Sequence, residues 1–369
     1  MFLKSISINS WRLYIFIVFI GFGSLSAQNK FTKDLYISVN LHRGYNIPEY
    51  SMFTYITNDY VNSVNLSVIK KTYGKNEWET LYNYPEFGVS FFYSTLGNDE
   101  IFGQEFSISP FFKTNIIHHK KFNFYNQIGV GLSYVNKKYN PETNFLNVAI
   151  GSNINIHFNF RLGVSYKIAN RISLSSGISF DHLSNANMSE PNLGINYITA
   201  FAGLSYRIGK KSAIQSPIFE ANQPKTTVLL VYNAGGKYSR ALSSQKYFTS
   251  SFSTEIKRNI ARAFHLGIGV DVFYDASVKD RLIAAEKTYY SINQFMTGIH
   301  FSQTLVYNKL SLTIQEGIYL FLTDKVEENF MYNRGIIAYQ LSETFSIRLA
   351  MKSHLHILDY PEFGFAYKL

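Results

Sequence analysis

Apolar and polar positions alternate along this chain with a period of two, in segment after segment. Between Phe122 and Tyr134 the even positions are Phe122, Phe124, Asn126, Ile128, Val130, Leu132 and Tyr134, and the odd ones are Asn123, Tyr125, Gln127, Gly129, Gly131 and Ser133. The next segment sets Ile156, Phe158, Phe160, Leu162 and Val164 against Asn155, His157, Asn159, Arg161 and Gly163. Successive side chains of a strand point to opposite faces, so each segment reads as a strand with one apolar face and one small or polar face. Eight such strands are predicted, over 34–44, 60–71, 86–95, 101–117, 121–138, 154–168, 171–184 and 194–208. Eight strands suffice to close a small barrel filled by its own side chains. The polar stretch 209–226, with Lys210, Lys211, Pro217 and Pro224, reads as a linker. Alternation then resumes, and 227–369 has room for about eight further strands.

The fold class that follows is all-β, an antiparallel transmembrane β-barrel protein with an apolar exterior and a polar interior. Two architectures fit: an eight-stranded unit over 28–208 followed by a second barrel, or one larger barrel of about sixteen strands. The linker, and the closing pattern Ile198, Ala200, Ala202, Leu204, Tyr206, Ile208 before it, favour the first. The terminal alternation Phe363, Phe365, Tyr367, Leu369 resembles the last strand of outer-membrane barrels, with Leu in place of the usual final Phe. At the other end, Lys4 and Arg12 flank a charged region, an apolar run spans 13–22, and Ser24, Ser26 and Ala27 follow. That is the form of a signal peptide over 1–27, and the run is shorter than the ~20 residues a membrane helix needs.

Composition agrees with strands that are greasy on one side. Phe (32) and Tyr (28) far outnumber Trp (2), and only 16% of residues are charged. The absence of cysteine excludes disulfides, thiolate metal sites and cysteine nucleophiles. The net charge of +10 comes from lysine pairs at turns, such as 70–71, 120–121, 137–138 and 210–211, and not from one stripe. This argues against nucleic acid as a partner and suits solvated turns or anionic lipid head groups.

One strand end carries candidate chemistry. His182 and Ser184 are two residues apart, so they share a face with Ile172, Leu174, Ile178 and Phe180, the face that meets lipid. A serine needs an adjacent base to act as a nucleophile at neutral pH, and histidine is the usual one. The following strand starts near Asn196 with the same parity, so His182, Ser184 and Asn196 are expected to converge on the outside of the barrel. The loop between them holds Asn185, Asn187, Glu190, Asn192 and Gly194, candidate donors for a tetrahedral oxyanion. Other residues offer less. His118 and His119 sit in a lysine-rich turn, and His354 and His356 share a face but lack a third metal ligand. Asp271 and Asp275 read as an inward charge and a turn residue, with Arg161, Lys167 and Arg348 as inward cations able to neutralise such charges. Tyr-Pro-Glu-Phe-Gly occurs twice, at 84–88 and 360–364, and reads as coincidence at strand starts.

The run His182-Leu183-Ser184-Asn185-Ala186, then Pro191-Asn192 and Gly194-Ile195, resembles the signature of the PagL-type lipid A 3-O-deacylases (acyloxyacyl hydrolases), eight-stranded outer-membrane barrels. The resemblance covers about 34–208 and includes the length of the loop as well as its residue types. It implies a serine esterase of the outer membrane that removes an ester-linked acyl chain from lipid A, modifying lipopolysaccharide. Ser184 would be the nucleophile, His182 the base and Asn192 an oxyanion donor. Asn196 stands where the family carries glutamate; an amide can orient an imidazole but cannot compensate its positive charge. Glu190 could substitute only if the loop folds back. No cofactor and no metal is implied, lipid A and outer-membrane lipid are the expected partners, and a homodimer is left open. The alternative function is a non-catalytic barrel, a pore or a structural protein, that keeps the family fold.

Overall fold

The computed structural model describes residues 32–48, 53–186, 188–215, 224–239, 245–322, 330–354 and 357–369. The expected signal segment 1–27, Asn187 and His356 lie outside the described residues. Sixteen strands form two closed antiparallel barrels, so the two-barrel architecture is the one adopted. The first barrel runs β1 (Leu35–Asn46), β2 (Val61–Lys71), β3 (Glu86–Thr95), β4 (Gln104–His118), β5 (Phe122–Val135), β6 (Ile154–Lys167), β7 (Ile172–Ser184) and β8 (Ile195–Arg207). It closes where β1 meets β8, with Leu41 opposite Ala202. The second runs β9 (Thr226–Tyr238), β10 (Lys246–Ala261), β11 (Phe264–Asp275), β12 (Phe295–Tyr307), β13 (Leu310–Leu322), β14 (Met331–Gln340), β15 (Phe345–His354) and β16 (Ile357–Lys368). It closes between β16 and β9, with Gly364 opposite Asn233.

Burial is inverted relative to a water-soluble protein. On β5 the apolar Leu132 is 63% exposed while its polar neighbour Ser133 is 2% exposed. The same holds across both barrels: closure pairs every strand with two neighbours, which satisfies the backbone, and the apolar exterior around a polar interior suits a sheet that faces hydrocarbon. Among the described residues no helix is long and apolar enough to cross a membrane.

The interiors are filled. In the first barrel His157 Nε2 lies 3.0 Å from Asp181 and its Nδ1 contacts Glu105, and Glu86 pairs with Lys71 (2.6 Å) and Lys113 (3.0 Å). In the second, Arg334 spans Glu362 (2.7 Å) and Asp271 (3.2 Å), and His300 and Tyr332 also reach Asp271. Asp271 is inward as expected, but its cation is Arg334; Arg161 and Lys167 belong to the other barrel. Asp275 accepts from the Ser277 amide (2.8 Å) at the end of its strand and meets Arg281 (3.3 Å).

Long and short connections segregate. At one end lie 119–121, 168–171, 262–263 and 308–309; at the other lie 53–60, 96–103, 136–153, 188–194 and 276–294. Outer-membrane barrels keep short turns on the periplasmic side and long loops outside, which makes the second set the outward end. The segment 72–85 is a longer connection at the short-turn end and contains a helix over Glu77–Leu81. It touches the second barrel: Tyr82 donates its hydroxyl to the carbonyls of Ala263 (2.8 Å) and Val306 (3.0 Å), and Glu77 pairs with Arg262. The first part of the expected linker is fastened to the first barrel, since the Ser212 amide donates to Asp34 (2.7 Å) and that of Gln215 to the Tyr73 carbonyl (2.7 Å).

Candidate active site on the outer face

Strands β7 and β8 end and begin at the outward rim, and their register sets His182 directly opposite Asn196. Parity then places His182, Ser184 and Asn196 on the outer side of the sheet, with His182 and Asn196 half-buried and Ser184 buried. His182 Nδ1 lies 2.6 Å from Asn196 Oδ1, and its Nε2 lies 3.0 Å from Ser184 Oγ. A carboxamide oxygen only accepts, so Nδ1 carries the proton and donates it to Asn196. In the neutral imidazole Nε2 is then the unprotonated nitrogen, and the Ser184 hydroxyl donates to it. This is the tautomer a general base requires. The two neighbours across β6 are Phe158, opposite His182, and Ile156, opposite Ser184. The trio thus sits at the upper edge of an apolar wall.

The trio is braced from inside. Leu183 and Ile195 alternate with the site residues and point inward, where they join Phe53, Val61, Phe102, Val135, Ile150 and Tyr197 in a hydrophobic plug under the outward loops. Leu183 is fully buried. Packing on the inner face therefore fixes the backbone that presents His182 and Ser184 on the outer one.

The loop residues divide their work differently from the sequence expectation. The Asn185 amide donates to Asn192 Oδ1 (2.8 Å), and its own side chain donates to the Ser189 carbonyl (2.7 Å) and accepts from the Met188 amide (3.1 Å). The Gly194 amide donates to the Ala149 carbonyl (3.0 Å). In this geometry Asn185 and Gly194 shape the loop, and their amides are engaged away from any oxyanion. Gly194 has a second role that spacing could not show. Its φ is +75°, which favours glycine, and a Cβ there would stand a tight 3.1 Å from His182 Cε1 and in ordinary contact, 3.7 Å, with Ser184 Cβ. Asn187 lies outside the described residues. Glu190 does not stand at His182 Nδ1, which Asn196 occupies. Burial pushes the Glu190 carboxyl above the usual range, and the Asn192 backbone amide pulls it partly back. His118 and His119 line a cavity at the opposite end of the barrel. His354 turns inward to Tyr319 (3.0 Å), and no group of three or more metal-ligating side chains occurs among the described residues.

The comparisons with known proteins fall on both barrels. Residues 62–205 match the family model for lipid A 3-O-deacylase (PagL), and residues 226–369 match that for the C-terminal domain of acyloxyacyl hydrolase. The chain belongs to the PagL family. No curated protein matches it. Among solved structures it is similar to the outer membrane enzyme PagL, at 19% identity over 45% of this chain and 97% of that one, with a TM-score of 0.33. It is similar to Neisserial surface protein A at 13% identity, over 47% of this chain and 97% of that one, with a TM-score of 0.34. A mutant porin of Rhodopseudomonas blastica aligns at 7% identity, over 91% and 99% of the two chains, with a TM-score of 0.18.

Proposed function

We propose that this member of the PagL family is an active serine esterase of the outer membrane that removes an ester-linked acyl chain from lipid A. The observation that carries the reading is the line Asn196–His182–Ser184 on the outer side of the wall, whose spacing suits the imidazole tautomer that a base requires. Ser184 Oγ attacks the ester carbonyl while His182 Nε2 takes its proton. The tetrahedral oxyanion is met by the Asn192 carboxamide. On collapse the C–O bond of the ester breaks and His182 returns its proton to the departing sugar alkoxide. A water, deprotonated by the same nitrogen, then hydrolyses the acyl-Ser184 ester and frees the fatty acid. Asn196 holds the ring but leaves the transient imidazolium uncompensated, so turnover is slower than with a carboxylate at that position.

The wall below the trio suits an acyl chain. Outward positions there are small, Ser176 on β7 and Ala200 and Ala202 on β8, between the larger Leu174, Ile178, Ile198 and Leu204. One strand further on, Arg43 is opposite Ala200 and stacks over the Tyr60 ring at 3.9 Å, a cation placed for a lipid phosphate. Export by the 1–27 segment would deliver the chain to this membrane. The filled interiors weigh against the pore reading. The test is mass spectrometry of lipid A from cells making the wild-type chain, Ser184→Ala, or neither. Loss of one hydroxyacyl chain in the wild type alone is expected; identical profiles in all three would sink the proposal.

A further inference from the structure

The lysine pairs scattered along the sequence are gathered by the fold. At the short-turn mouth of the first barrel a cavity of about 350 Å³ is lined by Lys121, Lys167, Arg171, Arg207 and Lys211, with Lys71 deeper inside. They arrive from four places in the chain: the β4–β5 turn, the β6–β7 turn with the strand end before it, the end of β8, and the segment after it. The single carboxylate in the lining is Glu86, already neutralised by Lys71 (2.6 Å) and Lys113 (3.0 Å). The nearby Asp34 is occupied by the amide and hydroxyl of Ser212 (2.7 and 2.6 Å). None of the five outer cations has a carboxylate within ion-pair distance among the described residues. Lys167 reaches only Asn170 (3.5 Å) and Arg171 only the Tyr206 hydroxyl (3.4 Å). Arg207 Nε and His118 Nδ1 are buried with no hydrogen-bond partner among the described residues.

Such crowding has a cost that a bound anion removes. Burial, then the like charges of Lys167, Arg207 and Lys71, hold the Lys211 ammonium below its usual range. Cations converging from separate elements on one concave site, with buried donors left unmade, form a preorganised receptor for negative charge. They also repel metal ions. A lone carboxylate would satisfy one or two of them; phosphate, with two charges and several acceptor oxygens, satisfies more.

We propose that this mouth is a binding site for a phosphate-bearing anion, independent of the ester-cleaving face at the other end of the barrel. The phosphate can belong to a soluble periplasmic compound or to the head group of an acidic phospholipid in the adjoining leaflet. The chemistry is the same, and the source is decided by experiment.

The full-length protein in detergent is titrated with inorganic pyrophosphate by calorimetry, in chloride of matched ionic strength. Saturable binding is expected, at least tenfold weaker in Arg171→Gln/Lys211→Gln. It should be unchanged in Lys137→Gln/Lys138→Gln, which removes the same charge from the outward loops, and retained in Arg171→Lys/Lys211→Arg. Native mass spectrometry of protein extracted from membranes containing phosphatidylglycerol supplies the second arm. Retention of that lipid by the wild type but not by the mouth variant assigns a lipid head group; pyrophosphate binding without retained lipid assigns a soluble ligand. If the double variant fails to show the mobility shift of a folded barrel, Lys121→Gln takes its place. Absence of both saturable binding and retained lipid, or equal weakening in the Lys137/Lys138 control, overturns the proposal.

Discussion

The two barrels share strand number, inverted burial and a charged, filled interior, yet among the described residues one of them carries such a trio on its outer wall and the other does not. The difference rests on parity. In the first barrel the penultimate strand β7 ends with His182 and Ser184 facing out. In the second, the penultimate strand β15 also ends in a serine and a histidine, but Ser353 is outward and His354 inward, where it meets Tyr319 (3.0 Å). On a regular strand adjacent positions point to opposite faces and positions two apart share one. A histidine one place along thus changes from the hydrogen-bonded neighbour of a serine to a member of a buried charge cluster that includes Lys352 and Asp359 (2.9 Å apart). Both strand ends offer a serine and a histidine, and spacing decides that only the first sets them on one face.

The sharpest way to break this comparison is Ser184→Ala, expected to lower deacylation by about 10³-fold or more, against no change for Ser353→Ala or His354→Ala, all read from lipid A mass spectra. Comparable losses from both barrels would mean that parity is not what separates them. Next is Arg334→Met in the second barrel, which strands Asp271 and Glu362 without their cation. A loss of about 3–5 kcal/mol is expected in urea unfolding, with the first barrel's activity intact in the folded fraction. Asn196→Glu restores the acidic residue of the family. A charged partner for the imidazolium contributes about 1–1.5 kcal/mol more than a neutral one, so roughly tenfold faster turnover is expected, and a slower enzyme would count against Asn196 as the orienting group. Gly194→Ala adds a Cβ at a positive φ, costs about 1–2 kcal/mol, and should lower kcat more than it raises KM, because the clash is with His182 and not with lipid. The mildest test concerns the second barrel's reach into the site loop. Tyr238 donates its hydroxyl to the Met188 carbonyl (2.9 Å), between Ser184 and Asn192. Tyr238→Phe removes one hydrogen bond, about 0.5–1.5 kcal/mol, and a several-fold drop in kcat is the expected reading.

Most of the fold was legible because alternation is local. The strands predicted at 60–71, 86–95 and 171–184 match β2, β3 and β7 to within a residue. The prediction overran at 121–138, where β5 stops at Val135, because Asn136 turns its side chain to the Gln104 amide (2.8 Å) and its own amide to the Gln104 carbonyl (3.2 Å). The convergence of His182, Ser184 and Asn196 was legible for the same reason, being fixed by parity and one hairpin. What was not legible depends on partners distant in sequence. Arg334 finds Asp271 and Glu362 across the barrel, and the plug behind Leu183 draws on Phe53 and Phe102. The repeated Tyr-Pro-Glu-Phe-Gly falls at the start of β3 and inside β16, and in each the glutamate points inward onto cations, Glu86 to Lys71 and Lys113 and Glu362 to Arg334.

The plug at the outward mouth has a kinetic consequence. With the lumen stoppered by Phe53, Phe102 and their neighbours and packed with charge below, no substrate reaches the trio by threading the barrel. On the proposed reading a lipid arrives by sliding within its own leaflet, and the released chain departs the same way. The governing concentration is then a number per unit area. Diluting the protein and its lipid into excess micelles would slow the reaction by spreading both over more surface, with every molecule of enzyme intact.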